Sequence, residues 1–351
     1  MFGLLLFGRG NEGEAMNNEN KTITNSTSFA LASKVKDYFL LIKFTLSFMV
    51  VFSTVVSYLL APNIRFEIIQ VLLLFLAGML ITGSANSINQ ALEKDTDALM
   101  KRTAKRPVAS GRMKASEAYG FAIISGLLGT GILWYFFNLN AALLGLLSLL
   151  LYGFVYTPLK KVNSIAVLVG AIPGALPCMI GWVAATGEFS AGGWVLFAIQ
   201  FLWQFPHFWA IAWVAHQDYT KAGFKLLPSD KGPTKFTALQ CVMYSLMMVP
   251  VGMLPYYIGI SGVVSLWIVL VCNLAMVYLS IVLFRRMDVG SARKVMFGSY
   301  FYLMIVFLSL YADKRHVLNK AETVQEGGAR MMNENKLPGQ KNKWVLAIKN
   351  I

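Results

Sequence analysis

Apolar runs close to 20 residues long recur from one end of this sequence to the other, and that recurrence limits the chain to very few folds. The runs fall at about residues 38–60, 66–92, 115–137, 140–157, 164–186, 192–216, 236–259, 261–284 and 294–312. As helices, each reaches across a hydrocarbon core of roughly 30 Å, the stretch at 140–157 being the shortest. Only 14% of the 351 residues are charged, against roughly a quarter in an ordinary soluble domain, so most of the surface must face lipid. A transmembrane β-barrel would need short alternating strands, and the sequence has none. The expected class is all-α: a polytopic membrane protein of about nine transmembrane helices bundled around a central cavity.

The connections sort by charge. "KDTDALMKRTAKRPVASGRMK", "LKKVN", "DYTKAGFKLLPSDKGPTK" and "RRMDVGSARK" alternate with the nearly uncharged "APN", "FNLN", "ATGEFSAGG" and "GISG". The four basic connections are therefore expected on one face, the cytoplasmic one, with the N-terminus on that side and, after nine spans, the C-terminus opposite. The net charge of +14 is spread over these short loops rather than pooled on a soluble module, which argues against nucleic acid as a partner. Cys178, Cys241 and Cys272 stand apart within apolar runs and suggest neither a disulfide framework nor a thiolate metal site. Residues 1–33 read as a disordered N-terminal tail, 34–312 as the membrane domain, and 313–351 as a polar C-terminal tail. The opening "MFGLLLF" is too short for a secretory signal, and sequons at Asn20 and Asn25 carry weight only in a secretory lumen.

One charged stretch stands out: "NQALEKDTDALMKRTAKRP", at the exit of the second apolar run. Asn89, Glu93 and Asp97 are spaced i, i+4, i+8 and on a continuous helix would line one face. Such oxygen donors suit Mg²⁺ rather than softer metals, and Mg²⁺ can bridge carboxylates to the oxygens of a diphosphate. Lys101, Arg102, Lys105 and Arg106 follow, Arg being suited to phosphate by its planar fork, and Pro107 stops helical continuation. The competing interpretation is a solvated helix end whose basic residues only obey the positive-inside bias.

A second cluster, "WQFPHFWAIAWVAHQDYTKAGFKLLP", closes the sixth run. His207 and Asp218 lie eleven residues apart, about three turns on one helix face, beside Gln204, His216 and Gln217. Ionisable groups at membrane depth usually face a cavity or the bundle interior. Trp203, Phe205, Phe208 and Trp209 are candidates for an apolar slot able to shelter an allylic cation, or alternatively for an interfacial aromatic belt; Trp213 reads as belt. In the fifth run, Pro173, Gly174 and Pro177 should kink the helix or admit a close neighbour.

Taken together, "NxxxExxxD" running into "DALMKRTAKRP", "YTPLKKVNSIAVLVGAIPGALPCMIGW" and "WQFPHFWAIAW…DY…G…LLP" resemble the UbiA superfamily of intramembrane prenyltransferases, and within it the heme-farnesylating branch. The resemblance covers approximately residues 34–312. It implies a nine-helix bundle and Mg²⁺-dependent transfer of a farnesyl group from farnesyl diphosphate to a vinyl group of heme B. It assigns Asn89, Glu93 and Asp97 to a metal–diphosphate site, with Asp218 as a further metal ligand. Lys43, Arg102, Arg106, Lys160 and Lys161 fall where basic residues meet the diphosphate. His207 stands where many members carry the first Asp of a second motif, and counts with Asp218 among the catalytic candidates. Tyr156, Trp203, Phe208 and Trp209 fall at the prenyl or heme pocket. The resemblance further implies a bacterial plasma-membrane location with a cytoplasmic site, and a heme A synthase or a terminal oxidase assembly as receiving partner.

Overall fold

The computed structural model describes residues 33–315 apart from Asp230; the tails expected at 1–33 and 313–351 lie almost wholly outside that range. Helix α1 (Ser33–Leu41) and α2 (Phe44–Leu60) are bent by 50° at their junction and together are long and apolar enough for one span. Then follow α3 (Ile68–Leu92), the short α4 (Lys94–Ala98) and α5 (Ala115–Phe136). Helix α6 (Leu139–Leu150) continues through a π-helical segment (Leu151–Tyr156) into α7 (Thr157–Leu159). Helices α8 (Ala166–Thr186), α9 (Ala191–Val214), α10 (His216–Lys221), α11 (Lys235–Tyr257), α12 (Val263–Arg286) and α13 (Val289–Ala312) complete the bundle. Among the described residues, eight helices are long and apolar enough to cross a membrane, nine with the bent pair, and none of these residues forms a strand. The expected all-helical class and number of spans hold.

Two buried clusters fill the bundle. One joins α3, α5, α6 and α8 through residues such as Leu74, Ile81, Leu133 and Met179; the other joins α8, α9, α11, α12 and α13 around Trp203, Phe205, Trp209 and Phe307. Outward positions such as Leu127 (71% exposed) and Val271 (64%) are apolar too, as lipid contact requires. Trp213 belongs inside: it is 3% exposed and packs in the second cluster, so the belt reading of this residue is corrected. A tryptophan near a helix end was read by its depth in sequence, whereas α9 is sandwiched between neighbours there.

Close crossings follow the glycines. A Cβ on Gly181 would strike the backbone of α2 at Thr54, and one on Gly174 would strike the amide of Gln204 on α9. Pro173 and Pro177 stay inside a continuous α8. Pro177 has no N–H for the carbonyl of Pro173, and Ser148 donates to that oxygen instead, at 3.2 Å.

The bend at α1–α2 is built the same way. Lys43 adopts a left-handed backbone (φ 49°, ψ 57°), unfavourable for a side-chain-bearing residue, and the helix loses its ladder there. Side chains of α3 take up the freed carbonyls: Gln90 donates to Leu40 and Leu41 at 2.9 Å each, and Asn86 to Ile42 at 3.1 Å. At the far end Lys314 donates to the carbonyls of Leu59 and Ala61, both at 2.7 Å, so the chain stays bonded to the bundle beyond α13. Replacing Gln90 by Leu removes the donor to the Leu41 carbonyl and leaves the Leu40 carbonyl with the Lys43 N–H at 3.3 Å. We expect a loss of about 1–3 kcal/mol for the orphaned group, read as a lowered unfolding midpoint in detergent, with Gln90→Glu less damaging only when protonated.

Candidate active site

The site forms where α3 ends. Asn89 (1% exposed), Glu93 (4%) and Asp97 (0%) are all buried, which excludes the solvated-helix-end reading for these three side chains. They do not sit on one uninterrupted helix, as the spacing suggested. Helix α3 stops at Leu92, Glu93 leaves the helical basin (φ −98°, ψ 11°), and α4 restarts at Lys94. Two backbone bonds carry the chain through the break, Glu93 N–H to Asn89 at 3.0 Å and Asp97 N–H to Glu93 at 2.7 Å. The loop after α4 then folds back, Thr103 donating to the Asp97 carbonyl at 2.8 Å.

Each oxygen-bearing side chain meets a base from elsewhere. Lys43, aimed inward by the helix bend, donates to Asn89 Oδ1 at 2.8 Å. Asn89 Nδ2 donates to Glu93 Oε2 at 2.8 Å and to Thr157 Oγ1 at 3.3 Å. Lys160 Nζ lies 2.6 Å from Glu93 Oε1. Arg106 spans both oxygens of Asp97, at 2.8 and 2.7 Å. Lys160 sits over the rings of Tyr156 and Phe224, 5.0 and 5.2 Å from their centroids. Burial pushes its ammonium below the ordinary lysine range, and the Glu93 carboxylate opposes that shift.

Arg102, Asp218 and Lys161 occupy other positions. Arg102 is exposed on the loop, donating to Tyr219 Oη at 2.8 Å, with Asp218 in electrostatic reach. Lys161 is exposed and makes no contact with the cluster. His207 and Asp218 do not lie on one continuous helix: α9 ends at Val214, and a break at Ala215 puts Asp218 on α10. His207 is buried between Trp203, stacked at 4.7 Å, and α13, where its Nδ1 is 2.7 Å from Ser299 Oγ. Trp203 and Trp209 are core residues of that half of the bundle, with Phe208 packed against them. An apolar cavity of about 90 Å³ is lined instead by Val50, Leu74, Ile81, Asn86, Tyr152 and Pro177, Asn86 lying on α3 one turn before Asn89.

Sequence reasoning missed Thr157 and Tyr152. The π-helical segment ends with the Thr157 N–H on the Tyr152 carbonyl, five residues back; Thr157 Oγ1 donates to the same oxygen at 2.9 Å, and Thr157 and Lys160 face Asn89 and Glu93. Pro158, which cannot donate to the carbonyl four residues earlier, was the available signal. Three of the four basic connections meet here: the loop after α4, the turn holding Lys160, and the segment after α10, whose Lys225 N–H donates to the Lys160 carbonyl at 2.8 Å.

For a metal ion the donors are two carboxylates and an amide oxygen, all buried and all hard, with neither imidazole nor thiolate among them. That chemistry fits Mg²⁺. Among the described residues no three His, Cys, Asp or Glu side chains converge on one point, so any such ion shares its shell with Asn89 and with ligand oxygens.

The model of the UbiA prenyltransferase family matches residues 50–308. Protoheme IX farnesyltransferase from Cytophaga hutchinsonii is 46% identical over 284 residues, 81% of this chain and 99% of the relative. Among solved structures, digeranylgeranylglyceryl phosphate synthase superposes with a TM-score of 0.68 at 22% identity, over 80% of this chain and 98% of that one. A UbiA homolog from Archaeoglobus fulgidus bound to GPP and Mg²⁺ superposes with a TM-score of 0.58 at 16% identity, over 78% and 99%.

The pairing of Asp97 with Arg106 is testable alone. Asp97→Asn strands a guanidinium at a buried contact and is expected to cost about 3 kcal/mol. Adding Arg106→Gln should recover part of that loss, a coupling that a double-mutant cycle in chemical unfolding measures.

Proposed function

The chain belongs to the UbiA prenyltransferase family, and from that premise we propose that it transfers a farnesyl group from farnesyl diphosphate to a vinyl group of heme B, with Mg²⁺, giving heme O and diphosphate. The observation that carries the reading is the buried row Asn89, Glu93 and Asp97, ringed by Lys43, Lys160 and Arg106 beside an apolar cavity. A prenyl diphosphate has that same division, a multiply charged head and a hydrocarbon tail. The relative from Cytophaga hutchinsonii supports the choice of acceptor by its name, and the Archaeoglobus fulgidus homolog supports a metal-bound prenyl diphosphate.

Asn89, Glu93 and Asp97 hold the metal. Bound there, Mg²⁺ supplies positive charge to the departing diphosphate. Lys43, Lys160 and Arg106 bind the phosphate oxygens, Arg106 through its two-pronged fork, and Arg102 with Tyr219 extends the basic surface outward. The cavity walls, Val50 through Pro177, keep the tail in place and water away from the allylic carbon. The excess of Lys and Arg in the connections on this side supports a cytoplasmic site in a bacterial plasma membrane.

In membranes supplied with heme B, farnesyl diphosphate and Mg²⁺, chromatography of extracted heme should reveal heme O. Glu93→Ala and Asp97→Ala should each lower its formation by a factor on the order of a hundred or more. Chelation by EDTA should abolish it and excess Mg²⁺ restore it. Undiminished heme O from both variants would remove the metal–diphosphate reading, while farnesylation of some other aromatic acceptor would keep the site and change the substrate.

A further inference from the structure

The carboxylates of this site already carry cations of the protein's own. Lys160 occupies Glu93 Oε1, the amide of Asn89 occupies Oε2, Arg106 occupies both oxygens of Asp97, and Lys43 occupies the oxygen of Asn89. Every side-chain oxygen that a divalent ion would use is engaged, and each of the two carboxylates already has a basic partner.

Bare Mg²⁺ entering this cluster would add two charges to a buried group whose carboxylates are already neutralised by Lys160 and Arg106. It would also push Lys160 and Arg106 off their partners and leave them unpaired, a costly outcome away from water. Diphosphate entering alone would bring its charge against Glu93 and Asp97. When both enter, the mismatch disappears: the carboxylates pass to the metal and the three bases pass to phosphate oxygens, so each charge keeps a partner. Lys160 is suited to such an exchange. Its backbone carbonyl is held by Lys225 N–H, while its ammonium rests over Tyr156 and Phe224, whose ring faces remain in reach once Glu93 is released.

We propose that Lys160 and Arg106 are place-holding cations that make Mg²⁺ and the diphosphate group enter the site together, by exchange of partners, and that Lys160 sets this coupling. The inference rests on the metal–diphosphate reading above and deepens it.

Calorimetric titration of the detergent-solubilised full chain tests it, the heat of Mg²⁺ with pyrophosphate in protein-free buffer being subtracted. MgCl₂ should bind more tightly in saturating inorganic pyrophosphate than alone, by a factor on the order of ten to a hundred, and pyrophosphate should gain the same factor from Mg²⁺. Lys160→Met should let Mg²⁺ bind without pyrophosphate and should shrink the coupling severalfold. Because Lys160→Met leaves Glu93 buried without its cation, its thermal midpoint should rise on adding MgCl₂ alone while the parent's does not. Adding Glu93→Gln to that variant should erase the rise. Equal Mg²⁺ affinity with and without pyrophosphate in the parent chain, or an unchanged coupling in Lys160→Met, would overturn the proposal. No binding of Mg²⁺ with pyrophosphate present would instead sink the metal–diphosphate reading, and the exchange with it.

Discussion

A carboxylate buried at the edge of a membrane must have a cation, because in a low dielectric medium its charge has nothing else to offset it. Much of the architecture around the end of α3 follows from that demand. Glu93 and Asp97 are closed from solvent, and their partners come from three different places: a bent first span, a loop that doubles back after α4, and the turn that ends the π-helical segment. Elements far apart in sequence are tied together by charge at one end and by packing along the rest of their length.

Helix α3 does this work with a run of polar side chains that point into the bundle rather than out of it. Ser84, Asn86, Ser87, Asn89 and Gln90 are all buried. Gln90 and Asn86 supply donors to the carbonyls exposed by the bend at Lys43, alongside Ser47 Oγ on Ile42 and the Lys43 N–H on Leu40. The bend in turn gives Lys43 the direction that brings its ammonium to Asn89, one residue short of Gln90 on the same helix. Repair of the broken span and assembly of the site are therefore one structural event. The strained backbone of Lys43 is retained because several hydrogen bonds from α3 fix its surroundings.

The spans were legible because hydrocarbon thickness sets a length and composition that sequence displays directly, and the runs at 66–92 and 192–216 lie close to α3 (Ile68–Leu92) and α9 (Ala191–Val214). The residues of the polar row were legible too, through a spacing of four. What periodicity does not carry is a break. The helices break at Lys43, Glu93 and Ala215, and at the first two the break is met by side chains distant in sequence. His207 and Asp218 part company for that reason, and Lys160 enters while its neighbour Lys161 remains outside because the π-helical segment sets the phase of the turn. Trp213 shows the same limit for packing: a tryptophan near a span's end fits a lipid interface and a crowded helix junction equally well until the neighbours are known.

Polar and apolar halves of the site are also kept apart by construction. The cavity walls come from α2, α3, α5, α6, the π-helical segment and α8, and none of the charged side chains of the cluster is among its lining residues. A buried cluster whose charges are mutually neutralised places little field on that cavity, so the apolar space can remain dry in the absence of ligand. Once the pairs separate around a multivalent anion, the same cations act on charge developing beside the cavity, where no water screens them. The resting ion pairs thus serve two requirements that otherwise conflict, holding strong charges at the membrane edge and keeping them available for a reaction on a hydrocarbon chain.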